Sequence, residues 1–146
     1  MTTASSNSLT TPAITRAAAA ELLDAARAAC ADLGIDMAIA VTDPHGHLKA
    51  FQSMDGTPFL AHDVAINKAW TAVSFRQPTH AWVATLAEPA TAQLAHTPRV
   101  VAVGGGYPVI EGGSVIGGLG LSGGTVDQDQ QAAETALRAL GFELPA

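Results

Sequence analysis

Charged residues are scarce in this sequence. They make up 14% of its 146 residues, with 7 Lys and Arg against 13 Asp and Glu. The resulting net charge of −6 argues against nucleic-acid binding, because phosphate recognition needs clustered cations. The same deficit argues against electrostatic docking on anionic membranes. No apolar stretch approaches the roughly 20 residues of a membrane-spanning helix, so we expect no membrane association.

Cysteine is nearly absent. The single Cys30 has no partner for an internal disulfide, which predicts an intracellular, cytoplasmic protein. Because Cys30 lies within a helical pattern, we expect a small buried side chain rather than a reactive thiol.

The apolar fraction is 48%, much of it alanine, and there are 14 glycines. A length of 146 residues fits one domain, which we place at residues 12–146 after a disordered leader at 1–11. With so little charge to keep the whole surface hydrated, part of that surface is expected to be covered by another copy of the chain. The composition therefore predicts a homo-oligomer.

Apolar spacing and turn residues predict an alternation of helices and short strands. Thr11-Pro12 is typical of a helix start, Gly34 of a helix end, and Thr125 with Gln128 of a capping box. Predicted helices cover 12–33, 59–75, 80–87 and 125–140, and predicted strands cover 36–43, 47–53, 100–103, 109–110 and 115–122. Strands joined by short reversals pair antiparallel, so the pattern indicates an α+β fold with a five-stranded antiparallel sheet and helices packed on it.

Gly118, Gly120 and Gly123 have the G-x-G-x-x-G spacing, after a strand and before a helix. A dinucleotide site also needs a second strand with an acidic residue at its end. Only 23 residues follow Gly123, and one helix with a short tail fills them. We therefore reject the nucleotide interpretation and expect these glycines to let a helix lie close to the sheet.

Several short motifs, in this order and spacing, resemble the GlcG/HbpS family, which is related to the C-terminal domain of PduO-type proteins. The resemblance covers about residues 12–142. The matching segments are Val41-Thr42-Asp43-Pro44-His45-Gly46, Met54-Asp55-Gly56, Ala65-Ile66-Asn67-Lys68-Ala69-Trp70-Thr71-Ala72, Gln77-Pro78-Thr79, Gly105-Gly106-Tyr107-Pro108, and Ile116 to Gly124 followed by Asp129. The resemblance implies a profilin-like α/β/α sandwich that assembles into oligomers and binds haem. Other family members belong to catabolic operons.

His62 and Lys68 are the candidate binding residues on the second predicted helix. Imidazole is the commonest axial ligand of haem iron, and His62 lies in the first turns of this helix, just after the Met54-Asp55-Gly56 segment, so it is the predicted metal ligand. Lys68 lies among small and apolar helix neighbours, and must therefore reach the surface, pair with an acid, or hold an anion. Asp55 is the predicted partner of Lys68. In the functional alternative, Lys68 binds a haem propionate or another small carboxylate.

Gly104, Gly105 and Gly106 complete the predicted ligand-binding set, because a glycine turn exposes N–H groups that can donate hydrogen bonds to an anion. The structural alternative is a tight hairpin that needs glycine for its dihedral angles.

Three functions remain open from the sequence. The first is a haem or small-anion binding protein, in haem handling or as an accessory of a catabolic operon. The second is a lyase or isomerase in which Lys68 binds a small organic acid and His62 or Asp55 moves a proton. The third is a non-catalytic assembly subunit.

Overall fold

The structure is a computed structural model that describes residues 5–145. Residues 1–4 of the predicted leader lie outside the described residues, and residues 5–11 are exposed without helix or strand. The elements in chain order are α1 (Arg16–Leu33), β1 (Ala38–Thr42), β2 (Leu48–Ser53), α2 (Leu60–Phe75), a 3₁₀ turn (Thr79–Ala81), α3 (Trp82–Ala87), a second 3₁₀ turn (Ala92–His96), β3 (Gly106–Glu111), β4 (Ser114–Ser122) and α4 (Val126–Ala139).

The four strands form one antiparallel sheet in the order β2-β1-β4-β3. The α+β class and the antiparallel sheet are confirmed, but the prediction of five strands is wrong. The segment predicted as a strand at 100–103 leaves the sheet because its backbone bonds to α2 instead. The Val101 N–H donates to the Thr71 hydroxyl at 3.1 Å, and that hydroxyl donates to the Arg99 carbonyl at 3.2 Å.

Helices cover both faces of the sheet, which gives three layers. On one face α1 and α4 pack on the larger core, which includes Leu22, Ile39, Leu119 and Leu137. On the other face α2 packs through a row of alanines on the small residues Ala38 and Ala40. Side chains alternate along a strand, so neighbouring residues of β1 serve opposite cores.

Glycines of β4 allow the close approach of α2, as predicted. A Cβ atom at Gly118 would lie 2.6 Å from the Ala69 carbonyl oxygen, and one at Gly120 would collide with the Ala65 carbonyl. Any larger residue at these positions would push the helix away from the sheet.

The helix ends follow local chemistry with one exception. Gly34 ends α1 in the left-handed region at φ 68°, and Thr125 with Gln128 forms the predicted capping box of α4. The predicted start of α1 at Thr11-Pro12 is wrong, because the Ile14 N–H donates to the Ile116 carbonyl at 2.8 Å and keeps this segment extended. The helix begins four residues later, at Arg16, capped by the Thr15 hydroxyl.

The Cys30 side chain is fully buried in the larger core, as predicted, and burial raises the pKa of its thiol to about 12. Among the helices that the structure describes, none is both long and apolar enough to cross a bilayer.

Candidate functional site

Lys68 is buried in the middle of the molecule, with 1% of its surface exposed. Its ammonium group donates to Asp129 Oδ2 at 2.7 Å and to the Leu121 carbonyl at 2.9 Å. The predicted Lys68–Asp55 bridge is therefore wrong, since the acid that Lys68 requires comes from α4 and not from the loop before α2. The functional alternative, in which Lys68 binds a ligand carboxylate, meets an ammonium that is buried and already paired.

Asp129 lies in the first turn of α4, where the positive end of the helix dipole favours a carboxylate. Its Oδ1 accepts the Gly124 N–H at 2.9 Å, so both carboxylate oxygens have donors. Burial raises the pKa of Asp129 and lowers the pKa of Lys68, while the hydrogen bond between them opposes both shifts. The pair joins α2, β4 and α4. An acid in the first turn after a capping box was the signal in the sequence that could have identified this partner.

Gly104, Gly105 and Gly106 are buried, and Gly105 lies directly against this ion pair. A Cβ at Gly105 would lie 2.8 Å from Lys68 Nζ and 2.7 Å from the Leu121 carbonyl oxygen. The Gly106 N–H donates to the Thr79 hydroxyl at 2.9 Å. The structure thus brings Lys68 and the glycine segment together, as predicted, but the glycines serve close packing and do not form an open anion cradle. Gly106 is moreover the first residue of β3 and not part of a turn.

His62 lies near the beginning of α2, half-buried, beside the edge strand β2. Its Nε2 is 2.7 Å from the Ser53 hydroxyl, and its ring contacts Phe51 edge-on at a centroid distance of 5.6 Å. Ile66, one turn further along α2, is partly buried against the alanines beneath the helix. We call the surface formed by Phe51, Ser53, His62 and Ile66 the α2–β2 groove. It combines an imidazole with apolar side chains.

Asp55 is exposed and lies apart from Lys68. It borders a cleft of about 270 Å³ together with Arg27, Asp36, Gln52 and Ser53. Asp36 Oδ2 accepts the Gly56 N–H at 2.5 Å and fixes this loop. Among residues 5–145 no group of three or more His, Cys, Asp or Glu side chains is arranged to hold a metal ion.

A second cleft, of about 260 Å³, lies at the other end of α2. Pro44, His45 and Gly46 of the β1–β2 turn line it together with Trp70, Val73, Ser74 and Arg76. The turn forms as predicted, because Asp43 Oδ1 accepts the His45 N–H at 2.8 Å. Sequence reasoning missed this cleft, since nothing in the sequence places Arg76 beside the turn.

Comparison with known proteins gives one consistent family. The family model described as haem degrading protein HbpS-like matches residues 14–138. A 15.0 kDa uncharacterised protein from the dhaT-dhaS intergenic region of Citrobacter freundii is 40% identical over 128 residues, which cover 85% of this chain and 89% of that protein.

Solved structures agree with this assignment. The Klebsiella pneumoniae protein ORFY is 34% identical with a TM-score of 0.87, covering 97% of this chain and all of that chain. A PduOC structure described as a haem complex is 30% identical with a TM-score of 0.82, covering 92% of this chain and 99% of that chain. The matches span nearly the whole fold, so the protein belongs to the HbpS-like family, as the resemblance of its motifs predicted.

Proposed function

We propose that this protein binds haem, or a related acidic tetrapyrrole, at the α2–β2 groove, with His62 as the iron ligand. The observation that carries the proposal is the half-buried imidazole of His62, which contacts the Phe51 ring edge-on and has the apolar Phe59 and Ile66 three residues before it and four after it on the helix. Two findings support it: the matching family is described by haem degradation, and PduOC, a structural relative, is described as a haem complex.

The groove offers what a haem requires: an imidazole for the iron, and apolar side chains for the porphyrin. Imidazole nitrogen is the commonest protein ligand of haem iron, and apolar side chains suit the porphyrin ring. Phe59, 88% exposed, is three residues before His62 on the same side of the helix and extends the apolar surface. Bound haem would supply redox-active iron, while the chain would bind and orient it.

The predicted propionate contact at Lys68 is not part of this proposal. Its ammonium is already bound by Asp129 and the Leu121 carbonyl, and Gly105 covers it. The alternative of a lyase or isomerase depended on the same ammonium to bind a small acid. Without it, no observation favours that reaction over binding, and we retain haem binding alone.

Haemin titration tests the proposal directly. We expect a Soret band on addition of haemin to the full chain, and a dissociation constant about tenfold or more weaker in His62→Ala, equivalent to about 1.4 kcal/mol. His96→Ala is the matched control, because it also removes an imidazole. His96 is exposed on the second 3₁₀ turn, outside the groove. The proposal fails if haemin produces no band, or if His62→Ala and His96→Ala bind it equally.

We further propose that the protein is a cytoplasmic homo-oligomer that serves as an accessory of a catabolic operon. Large apolar side chains exposed at both ends of α2 and on α3 support self-association, since another copy of the chain could cover them. They are Phe59 at 88%, Leu60 at 72%, Phe75 at 66% and Val83 at 57% exposure. Sedimentation equilibrium measures the state, and a monomer at micromolar concentration contradicts this assignment.

A further inference from the structure

Only some of the Lys and Arg side chains of this acidic protein form ion pairs with carboxylates in the described residues. Arg27, Lys68 and Arg138 form ion pairs with carboxylates. Within residues 5–145 the other four form none: Arg16, Lys49, Arg76 and Arg99. Lys49 donates to the Ile14 carbonyl at 2.6 Å. The Arg99 guanidinium lies over the Trp70 indole, and Arg76 lines a cleft together with Trp70, so both of these uncompensated cations belong to the region around one aromatic ring.

The backbone holds Arg99 in a fixed position. Arg99 has φ 72°, in the left-handed region that non-glycine residues rarely adopt. The fully buried Thr71 secures this conformation on both sides, because its hydroxyl donates to the Arg99 carbonyl and accepts the Val101 N–H. The loop thus presents the Arg99 side chain to α2 in one orientation.

The Arg99 guanidinium stacks on Trp70, with Cζ 4.5 Å from the ring centroid. Its Nε donates to Asn67 Oδ1 at 3.0 Å. A guanidinium has five N–H donors, and in the described part of the chain the Nη groups have no protein acceptor. Cation–π stacking and one hydrogen bond therefore orient the fork and leave its terminal donors for an anion.

The neighbouring cleft supplies an apolar wall and a second cation. Gly46 lies so close to Trp70 that a Cβ there would be 2.7 Å from Cδ1 of the indole. Arg76, in the left-handed region at φ 56°, lines the same cleft. The Asp43 carboxylate of this turn is occupied by the N–H groups of His45 and His47. A planar ligand with one or two carboxylates matches this combination of indole and guanidinium groups.

The α2–β2 groove and this cleft lie along one helix. Ser53, at the end of β2, lies beside His62 near the start of α2, and Gly46, just before β2, lies beside Trp70 further along the helix. The helix α2 therefore runs antiparallel to β2. Eight residues separate His62 from Trp70, about 12 Å along the helix axis. In a haem, the carboxylates are likewise displaced from the iron, at the ends of two propionate chains on one edge of the ring.

We propose that Arg99 and Arg76, positioned by Trp70, Asn67 and Thr71, bind the carboxylates of the ligand, the role predicted for Lys68. The proposal rests on the haem-binding function above and specifies how the groove distinguishes an acidic tetrapyrrole from a neutral one. A small aromatic acid presents the same carboxylate chemistry and is the second source of such a ligand.

The test compares haemin with haemin dimethyl ester, whose carboxylates are blocked. In Arg99→Gln and in Arg76→Gln we expect the dissociation constant for haemin to rise about tenfold, the effect of losing one charge-assisted contact, while that for the ester stays unchanged. Arg16→Gln is the matched control, since Arg16 is also exposed and forms no ion pair with a described carboxylate, but lies on α1 at the opposite face. Equal haemin affinity in Arg99→Gln, Arg76→Gln and wild type overturns the proposal, as does an equal loss for the ester.

A second titration separates this site from the haem proposal. If wild type binds no haemin, haem binding is refuted, and benzoate is then titrated against the Trp70 fluorescence of a Trp82→Phe background. A saturable change in fluorescence that is weaker in Arg99→Gln supports a carboxylate site for a small aromatic acid. If benzoate does not change the fluorescence, or changes it equally in Arg99→Gln, the carboxylate site is refuted as well.

Discussion

The Lys68–Asp129 ion pair gives the most direct test of how this fold is held together. We expect Asp129→Asn to destabilise the protein strongly. The amide oxygen can still accept the Gly124 N–H, so the change removes the negative charge and keeps that hydrogen bond. Lys68 then remains buried, with 1% exposure, and has no counterion.

Two estimates of the cost agree. Removing one partner of a buried ion pair costs about 3–5 kcal/mol, because the other charge is left uncompensated. Lys68 can escape this by losing its proton, and deprotonating a lysine of ordinary pKa 10.5 at about pH 7 costs about 4.8 kcal/mol at 1.36 kcal/mol per pH unit. For a domain of this size, 3–5 kcal/mol corresponds to a fall of about 6–20 °C in Tm.

Urea unfolding of matched variants measures this cost. Asp24→Asn is the control, since Asp24 pairs with Arg27 at 3.2 Å while both side chains are at least half exposed, and its loss should change the free energy of unfolding by at most about 1 kcal/mol. The double variant Lys68→Met/Asp129→Leu should recover most of the stability, because apolar residues fill the site without an unpaired charge. If Asp129→Asn costs no more than Asp24→Asn, the pair does not hold the fold in this way.

The pH dependence of the same variant has a defined sign. Burial lowers the pKa of Lys68 in the folded state, and the loss of the carboxylate lowers it further. The unfolded chain then binds more protons than the folded chain at pH values below 10.5, so stability rises with pH. The destabilisation of Asp129→Asn should therefore shrink between about pH 7 and pH 10. A constant destabilisation over that range contradicts an unpaired buried ammonium.

Two further predictions concern glycine packing and the β1–β2 turn. Gly105→Ala should lower the free energy of unfolding by about 2–4 kcal/mol, because Gly105 has a φ of 119° and a new Cβ would meet Lys68 Nζ. Gly34→Ala, at φ 68° with open space around it, should lower it by about 1–2 kcal/mol. Equal losses in the two variants would contradict the packing role of Gly105. Burial raises the pKa of Asp43, but the N–H groups of His47 and His45 outweigh it and lower that pKa. The turn therefore contributes stability above an ordinary pKa of 3.8 that is lost as the pH falls through the lower folded pKa. Urea unfolding at about pH 6 and about pH 3 should show a smaller pH dependence in Asp43→Asn than in wild type.

Local chemistry in the sequence determined most helix ends and the strand pairs joined by tight turns. Gly34, Asp43 and the Thr125–Gln128 capping box act through neighbours a few residues away, so their roles follow from spacing alone. The family likewise followed from the order and spacing of short motifs, and the family model matches residues 14–138.

The edges of the fold were less predictable because long-range contacts decide them. Val100 to Val103 has strand-forming composition, yet the Thr71 hydroxyl, about thirty residues earlier, takes its backbone hydrogen bonds. The start of α1 depends on the distant Ile116 carbonyl in the same way. A local pattern carries no information about such partners.

The candidate site shows the same division. The sequence by itself indicated that Lys68, set among small helix neighbours, must reach the surface, pair with an acid or hold an anion, because a buried ammonium is costly when unpaired. Only the tertiary structure decided which acid it was, since Asp129 is 61 residues away and Asp55 was nearer along the chain. Likewise, folding alone placed Arg76, Arg99 and Trp70 together, because a cation–π contact and a strained loop depend on three-dimensional neighbours and leave no periodic trace in the sequence.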